Sequence, residues 1–169
     1  YIMKNIKLGE SEMNGKTVAH SRAIMSQVML PSQANPAGNV HGGEIMKMMD
    51  TTAYVVAARH AHTNIVTARV DELVFHTPIY VGALVTCKGE IIFVGRTSME
   101  VFVTVEAEYL EEEKPPQVAL TAYFTMVSLD ENGVPCQVPR LILTTPEEKK
   151  RFQEGKERYL LHKSKRKKS

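Results

Sequence analysis

The hydrophobic period of this chain changes once, after a single helix, and that change limits what it can fold into. Between Gly42 or Gly43 and about His60 the apolar residues Ile45, Met48, Met49, Ala53, Val56 and Ala57 fall at helical intervals and form one buried stripe. Beyond it the pattern alternates. Val66, Ala68, Val70 and Val74 are interleaved with Arg69 and Asp71, and similar alternation runs through Ala83 to Phe93, Met99 to Val105, and Val118 to Leu129. With an apolar strand at Ser21 to Leu30 before the helix, the predicted order is β-α-β-β-β-β. The connections at Pro78 to Gly82, Gly95-Arg96 and Glu111 to Pro116 are too short for the helical crossovers that parallel strands need, so the sheet should be mostly antiparallel. An α+β fold follows, in which a long sheet curls around the helix and buries its stripe while the outer face stays largely polar. Such a sheet has open edges that a second copy can cover, which predicts a homodimer at minimum.

Two segments flank this pattern. The residues up to about Thr17 show no sustained period and read as a polar lead-in. At the other end Thr145, Pro146 and Glu148 form the N-cap, N1 and N3 of a capping box, so a last helix starts there. One domain over residues 1–169 is expected, with a core of about 17–145 and a basic helix and tail from 146 to 169. The length of 169 residues and 43% hydrophobic content suit one packed core. No apolar run approaches the roughly 20 residues that cross a bilayer, and no secretory leader is recognisable, so a cytoplasmic protein without membrane attachment is expected. Cys87 and Cys136 lack metal or disulfide spacing and suit a reducing compartment. The net charge of +2 divides unevenly. Residues 147–169 hold ten Lys/Arg and four Glu, a net of +6, which leaves the rest at −4. A basic end of this kind is either solvated or anion-binding, and composition alone leaves both readings open.

The chemistry concentrates in Asn35-Pro36-Ala37-Gly38-Asn39-Val40-His41-Gly42-Gly43 and in Asp50. Glycines at a helix start let another group approach the backbone, and the first amides of the helix have no intrahelical partner. They suit an anion or a carbonyl oxygen that gains charge during acyl transfer; alone, the same glycines are also an ordinary helix start. Asp50 falls on the flank of the apolar stripe, where a carboxylate is partly desolvated and can serve as a base, unless it is paired with Lys47 or Arg59. The helical rise puts Asp50 roughly 10 Å along the axis from Gly43. One carbonyl cannot meet both within one chain, so two catalytic groups here imply a site shared across a dimer. His60, His62 and His76 lack a third ligand at diagnostic spacing, and no metal is expected.

Asn35-x-x-Gly38-Asn39-x-His41-Gly42-Gly43 followed by Met48-Met49-Asp50-x-x-Ala53 resembles the signature of the hotdog-fold acyl-CoA thioesterases, specifically the cytosolic, brain-type acyl-CoA hydrolase family. The resemblance continues through Ala57 to His60, Val66 to Asp71, Thr97 to Glu100 and Glu147 to Phe152, and so covers most of the chain. It implies hydrolysis of fatty acyl-CoA to free fatty acid and CoA, with no metal or redox cofactor because CoA is part of the substrate. It also implies dimeric active sites, commonly assembled as a trimer of dimers, with Asn35 and Asp50 as the catalytic pair. The Gly43 amide is the expected oxyanion donor and His41 the support of the loop. Arg96, Thr97 and Ser98 resemble positions along the pantetheine and nucleotide path, and Lys149, Lys150 and Arg151 are candidates for the CoA phosphates. Gln33 departs from the family, where an Asp is often found. Two other readings stand beside this one. A hotdog dehydratase would need a His base that the helix lacks before His60, and a non-catalytic acyl-CoA sensor acting on nucleic acid would need a DNA-reading domain for which the roughly 20 residues before the first strand leave no room. No nucleic-acid partner is therefore expected.

Overall fold

The computed structural model describes residues 15–166. In chain order the elements are β1 (Lys16–Thr17), α1 (Val18–Ser21), β2 (Ala23–Val28), a 3-10 turn (Pro31–Gln33), α2 (Gly42–Ala61), β3 (Asn64–Phe75), β4 (Leu84–Val94), β5 (Ser98–Glu108), β6 (Gln117–Leu129), β7 (Leu141–Ile142) and α3 (Pro146–Arg166). The five long strands form one antiparallel sheet in the order β2-β4-β5-β6-β3, as the short connections require. β2 and β3 are its edges. The sequence reading missed β1 and α1, and a two-residue parallel pairing joins β1 to β7. Most of the supposed lead-in lies outside the described residues.

α2 crosses the concave face of the sheet. Its stripe residues Ile45, Met49, Ala53, Val56 and Ala57 are buried against Val85 and Cys87 of β4, Val101 and Val103 of β5, and Leu120 and Phe124 of β6. The approach is close because β4 carries Gly89 under the helix. A Cβ there would stand 2.9 Å from the Thr52 methyl and 3.0 Å from Val56. Each large side chain in this layer contributes roughly 1.5–3 kcal/mol by leaving water. α2 ends at His62 in the left-handed region, φ 53°, with its N–H bonded to the Ala58 carbonyl. His60 is fully buried, its Nε2 2.8 Å from the Pro139 carbonyl oxygen, and burial lowers its proton affinity. It is a neutral core histidine at the end of the helix. His76 bonds Thr121 instead, and among the described residues no group of three or more His, Cys, Asp or Glu is placed to hold a metal. Cys87 is buried and its thiol is pushed up to about 12, while Cys136 bonds Ser128; both cysteines are free.

The outer face departs from expectation, because α3 covers it. The Thr145–Glu148 capping box forms as the sequence indicates, with Glu148 N–H 3.1 Å from Thr145 Oγ1 and Thr145 N–H 3.3 Å from the Glu148 carboxylate. From there α3 packs Phe152 and Tyr159 against Phe93, at ring distances of 5.0 and 5.4 Å. Arg158 donates to the buried Glu100 at 3.0 and 2.7 Å and lies 4.0 Å over the Tyr123 ring. Gly155 makes this contact possible. A Cβ there would sit 2.6 Å from that of Phe93. No helix among the described residues is long and apolar enough to cross a membrane.

Candidate active site

The loop before α2 is held by Asn35. Its side-chain Oδ1 accepts from the Ala37 and Asn39 N–H groups at 3.0 and 3.1 Å, and its backbone N–H donates to the Asn39 carbonyl at 2.7 Å. This Asx turn consumes the carbonyl end of the side chain and leaves the Nδ2 amine as the donor end. Asn35 and Gly42 line a cavity of about 390 Å3 whose walls include Ile45, Phe75, Ile79 and Leu120. His41 is the N-cap of α2, and its Nδ1 accepts the Gly43 N–H at 3.0 Å. That bond fixes the neutral tautomer with the proton on Nε2. It also changes which glycine offers a free donor. Gly43 is already committed and does not line the cavity, whereas Gly42 does and, as the first residue of the helix, has no intrahelical acceptor. Of the two glycines it is Gly42, one residue before the candidate donor Gly43, whose amide is uncommitted at the cavity, and His41 caps the helix beside it.

Asp50 stands two turns further along α2, outside that cavity. The single chain leaves it exposed, so the flank position does not desolvate it as expected, and neither Lys47 nor Arg59 pairs with it. Arg59 instead donates to the Arg22 carbonyl at 2.8 Å. What holds Asp50 is Thr67 of β3, whose hydroxyl donates to Oδ1 at 2.6 Å. Oδ2 remains free to act. Thr67 was quoted within a motif but not singled out by the sequence, where it reads as one more polar residue in an alternating strand. It lies on the edge of the sheet with its neighbour Val66 40% exposed, so Asp50 faces an open strand.

The remaining sequence candidates divide. Thr97 and Ser98, at the start of β5, line a second cavity beneath the C-terminal half of α3, whereas Arg96 is exposed and does not line it. Lys149 and Lys150 are exposed on the first turns of α3, at the other end of the helix. Arg151 is turned against the sheet, bonded to Glu90 and 4.8 Å over the Phe102 ring. Glu90 also accepts from Arg22 at 2.8 Å. The three basic residues thus do not form one cluster, and Arg151 is neutralised by a carboxylate.

Residues 37–113 match the thioesterase superfamily. A hexameric acyl-CoA thioesterase superposes with a TM-score of 0.84 at 32% identity, over 90% of this chain and 97% of its own. The chain belongs to the hotdog-fold acyl-CoA thioesterase family. A rat member, the cytosolic acyl coenzyme A thioester hydrolase, is 45% identical over 151 residues, which are 89% of this chain. The chain spans 40% of that relative's length. Within the family, the acyl-CoA hydrolase of Staphylococcus aureus, solved with butyryl-CoA and CoA, superposes with a TM-score of 0.81 at 27% identity, over 90% of this chain and 93% of its own. That hydrolase is also known as three alanine variants, of an asparagine, an aspartate and a threonine 15 and then 17 residues apart. Asn35, Asp50 and Thr67 have the same spacing.

Proposed function

We propose that this chain hydrolyses acyl-CoA thioesters to the free acid and CoA in the cytoplasm, at sites that two copies complete. The observation that carries the reading is the pair of half-sites. One end of α2 offers Asn35 Nδ2 and the Gly42 amide beside an apolar-walled cavity, and the exposed flank of the helix offers a carboxylate oriented by Thr67. Each half lacks what the other has. Antiparallel association of two copies along the open β3 edge brings Asp50 of one toward Asn35 and Gly42 of the other and buries Val66 and the 56%-exposed Phe75. The hexameric relative supports a trimer of such dimers.

The thioester carbonyl oxygen accepts from Gly42 and Asn35, so negative charge develops where donors already point. Asp50 Oδ2 supplies the electron pair, either through a water that it deprotonates or by direct attack, as the C–S bond breaks. The water proton passes to the CoA sulfur, and the balance is thioester plus water giving acid plus thiol. Direct attack forms an Asp50–acyl anhydride that water then opens. In single-turnover hydrolysis in 18O-water, label entering Asp50, from water adding to the aspartyl carbonyl, identifies that route, because attack by an activated water labels the product carboxyl alone. The reading is tested by thiol release from acyl-CoAs of graded chain length. Wild type should release CoA from part of the panel, and Asp50→Asn and Asn35→Ala should each lose about 10²–10³-fold in kcat. A wild type silent on every ester, or an Asp50→Asn variant at full rate, would contradict it.

A further inference from the structure

α3 has two unlike faces. Phe152, Arg158 and Tyr159 pack on the sheet, and His162 reaches Asp71 at 3.2 Å. Leu160 and Leu161 fall on the other side and are 52% and 53% exposed. Lys156 precedes Leu160 by four residues and Lys163 follows it by three, so the three side chains share one exposed row of the helix. Neither lysine has a carboxylate partner among the described residues, whereas Arg22, Lys88, Lys114, Arg151 and Arg158 are all paired. Glu157, four residues before Leu161, is the last acid of the sequence, and its carboxylate accepts from Gln153 at 3.3 Å. After it the sequence holds Arg158, Lys163, Lys165, Arg166, Lys167 and Lys168 with no Asp or Glu among them, and of these Arg158 serves Glu100. An exposed leucine pair thus stands inside a strongly basic segment. The other exposed apolar residues are set differently. Ile24, 63% exposed, borders a groove in which Glu90 neutralises Arg22 and Arg151.

We infer that the outward face of α3 docks reversibly on an anionic phospholipid surface, with Leu160 and Leu161 entering the headgroup layer and Lys156, Lys163 and the basic residues after them meeting the lipid anions. This departs from the expected absence of a membrane partner, and it asks for no segment that crosses a bilayer. A helix lying at the interface needs an apolar contact and basic flanks together, because one signal alone holds a protein only marginally. Lysine suits the flank, since its stem lies along apolar surface while the ammonium stays among the headgroups. The cations argue against a second copy of this chain as the occupant, because two such faces would bring like charges together. The leucines argue against a nucleic acid, whose phosphates the cations alone would satisfy. Docking at the surface brings the chain to where an amphiphile such as a fatty acyl-CoA partitions, yet the contact itself does not depend on the thioesterase reading.

Cosedimentation of the full chain with phospholipid vesicles tests the inference without any thioester. Vesicles of phosphatidylcholine with about 30% phosphatidylserine should bind wild type at least tenfold more tightly than phosphatidylcholine alone, and raising the salt to about 0.5 M should weaken that binding. Leu160→Ser/Leu161→Ser and Lys156→Gln/Lys163→Gln should each bind the anionic vesicles about tenfold more weakly. Both variants change exposed side chains, so their thermal melting and their mass by sedimentation should match wild type. Wild type that ignores the anionic vesicles, or binds both compositions equally, would overturn the inference. So would a leucine variant that binds as wild type does, which would leave a purely cationic surface of the kind a nucleic acid uses. A leucine variant with an altered mass would overturn it as well, by showing that the pair joins copies of this chain.

Discussion

At the level of single residues, the helix start divides its amides between two tasks. His41 Nδ1 holds the Gly43 N–H and leaves Gly42 facing the cavity. Gly42 is the first helical residue, where proline is tolerated, and His41 before it is already extended at φ −62°, ψ 126°. Gly42→Pro therefore deletes one N–H with little demand on the backbone, and kcat should fall about 10²-fold or more. Gly42→Ala retains the amide and places its Cβ in ordinary contact, 3.4 Å from the Phe75 ring, so its kcat should stay within a few-fold of wild type. Steady-state rates on the two variants, with circular dichroism as the check on folding, decide which glycine is the donor. Thr67→Val keeps the shape of the side chain and removes the 2.6 Å bond to Asp50; a loss of about tenfold in kcat with unchanged thermal stability is expected. As candidates, Asn35 and Asp50 stood out because a loop asparagine and a helical aspartate sit in an unusual motif. Gly42 and Thr67 were not. Spacing does not say which of two adjacent amides a histidine ring will take, and a threonine in an alternating strand looks like any solvated position.

At the level of elements, α3 shows where pattern reading stops. Its start was legible from the capping box, because a cap is a local device. Its destination was not, because the face that docks is made of Phe152, Gly155, Arg158 and Tyr159, a mixture without a simple apolar stripe. The docking has two sensitive points. Gly155→Ala forces a Cβ to 2.6 Å from that of Phe93 and should cost about 1–3 kcal/mol, seen as a melting transition several degrees lower. Arg158→Ala strands the buried Glu100 carboxylate and should cost about 3 kcal/mol at neutral pH. Glu100 also sets a pH dependence. Burial raises its proton affinity more than Arg158 lowers it, so the folded value lies above the ordinary 4.5. The stability tied to this group is complete below the ordinary value and is lost as pH rises through the folded one. Unfolding free energies measured from pH 4 upward should show that decline in wild type, and Glu100→Gln should remove it.

At the level of the whole molecule, the antiparallel sheet and its central helix were legible because period and connection length are set by the backbone, whereas the proposed site draws on a surface that one chain does not contain. β3 is an open edge beside Asp50, and the cavity holding Asn35 and Gly42 is at the N-terminal end of the same helix, two turns away. Activity should therefore track assembly. Dilution below the dimer dissociation constant should lower specific activity in parallel with the dimer fraction measured by sedimentation. The most direct test mixes two inactive variants, Asn35→Ala and Asp50→Asn, by unfolding and refolding them together at equal amounts. In a shared site the mixed dimer joins an intact Asp50 to an intact Asn35 once in every two sites. Random pairing makes half of the dimers mixed, so the mixture should recover about a quarter of wild-type activity although each variant alone is nearly inactive. A refolded mixture no more active than its two components would show that each chain works alone and would contradict the account.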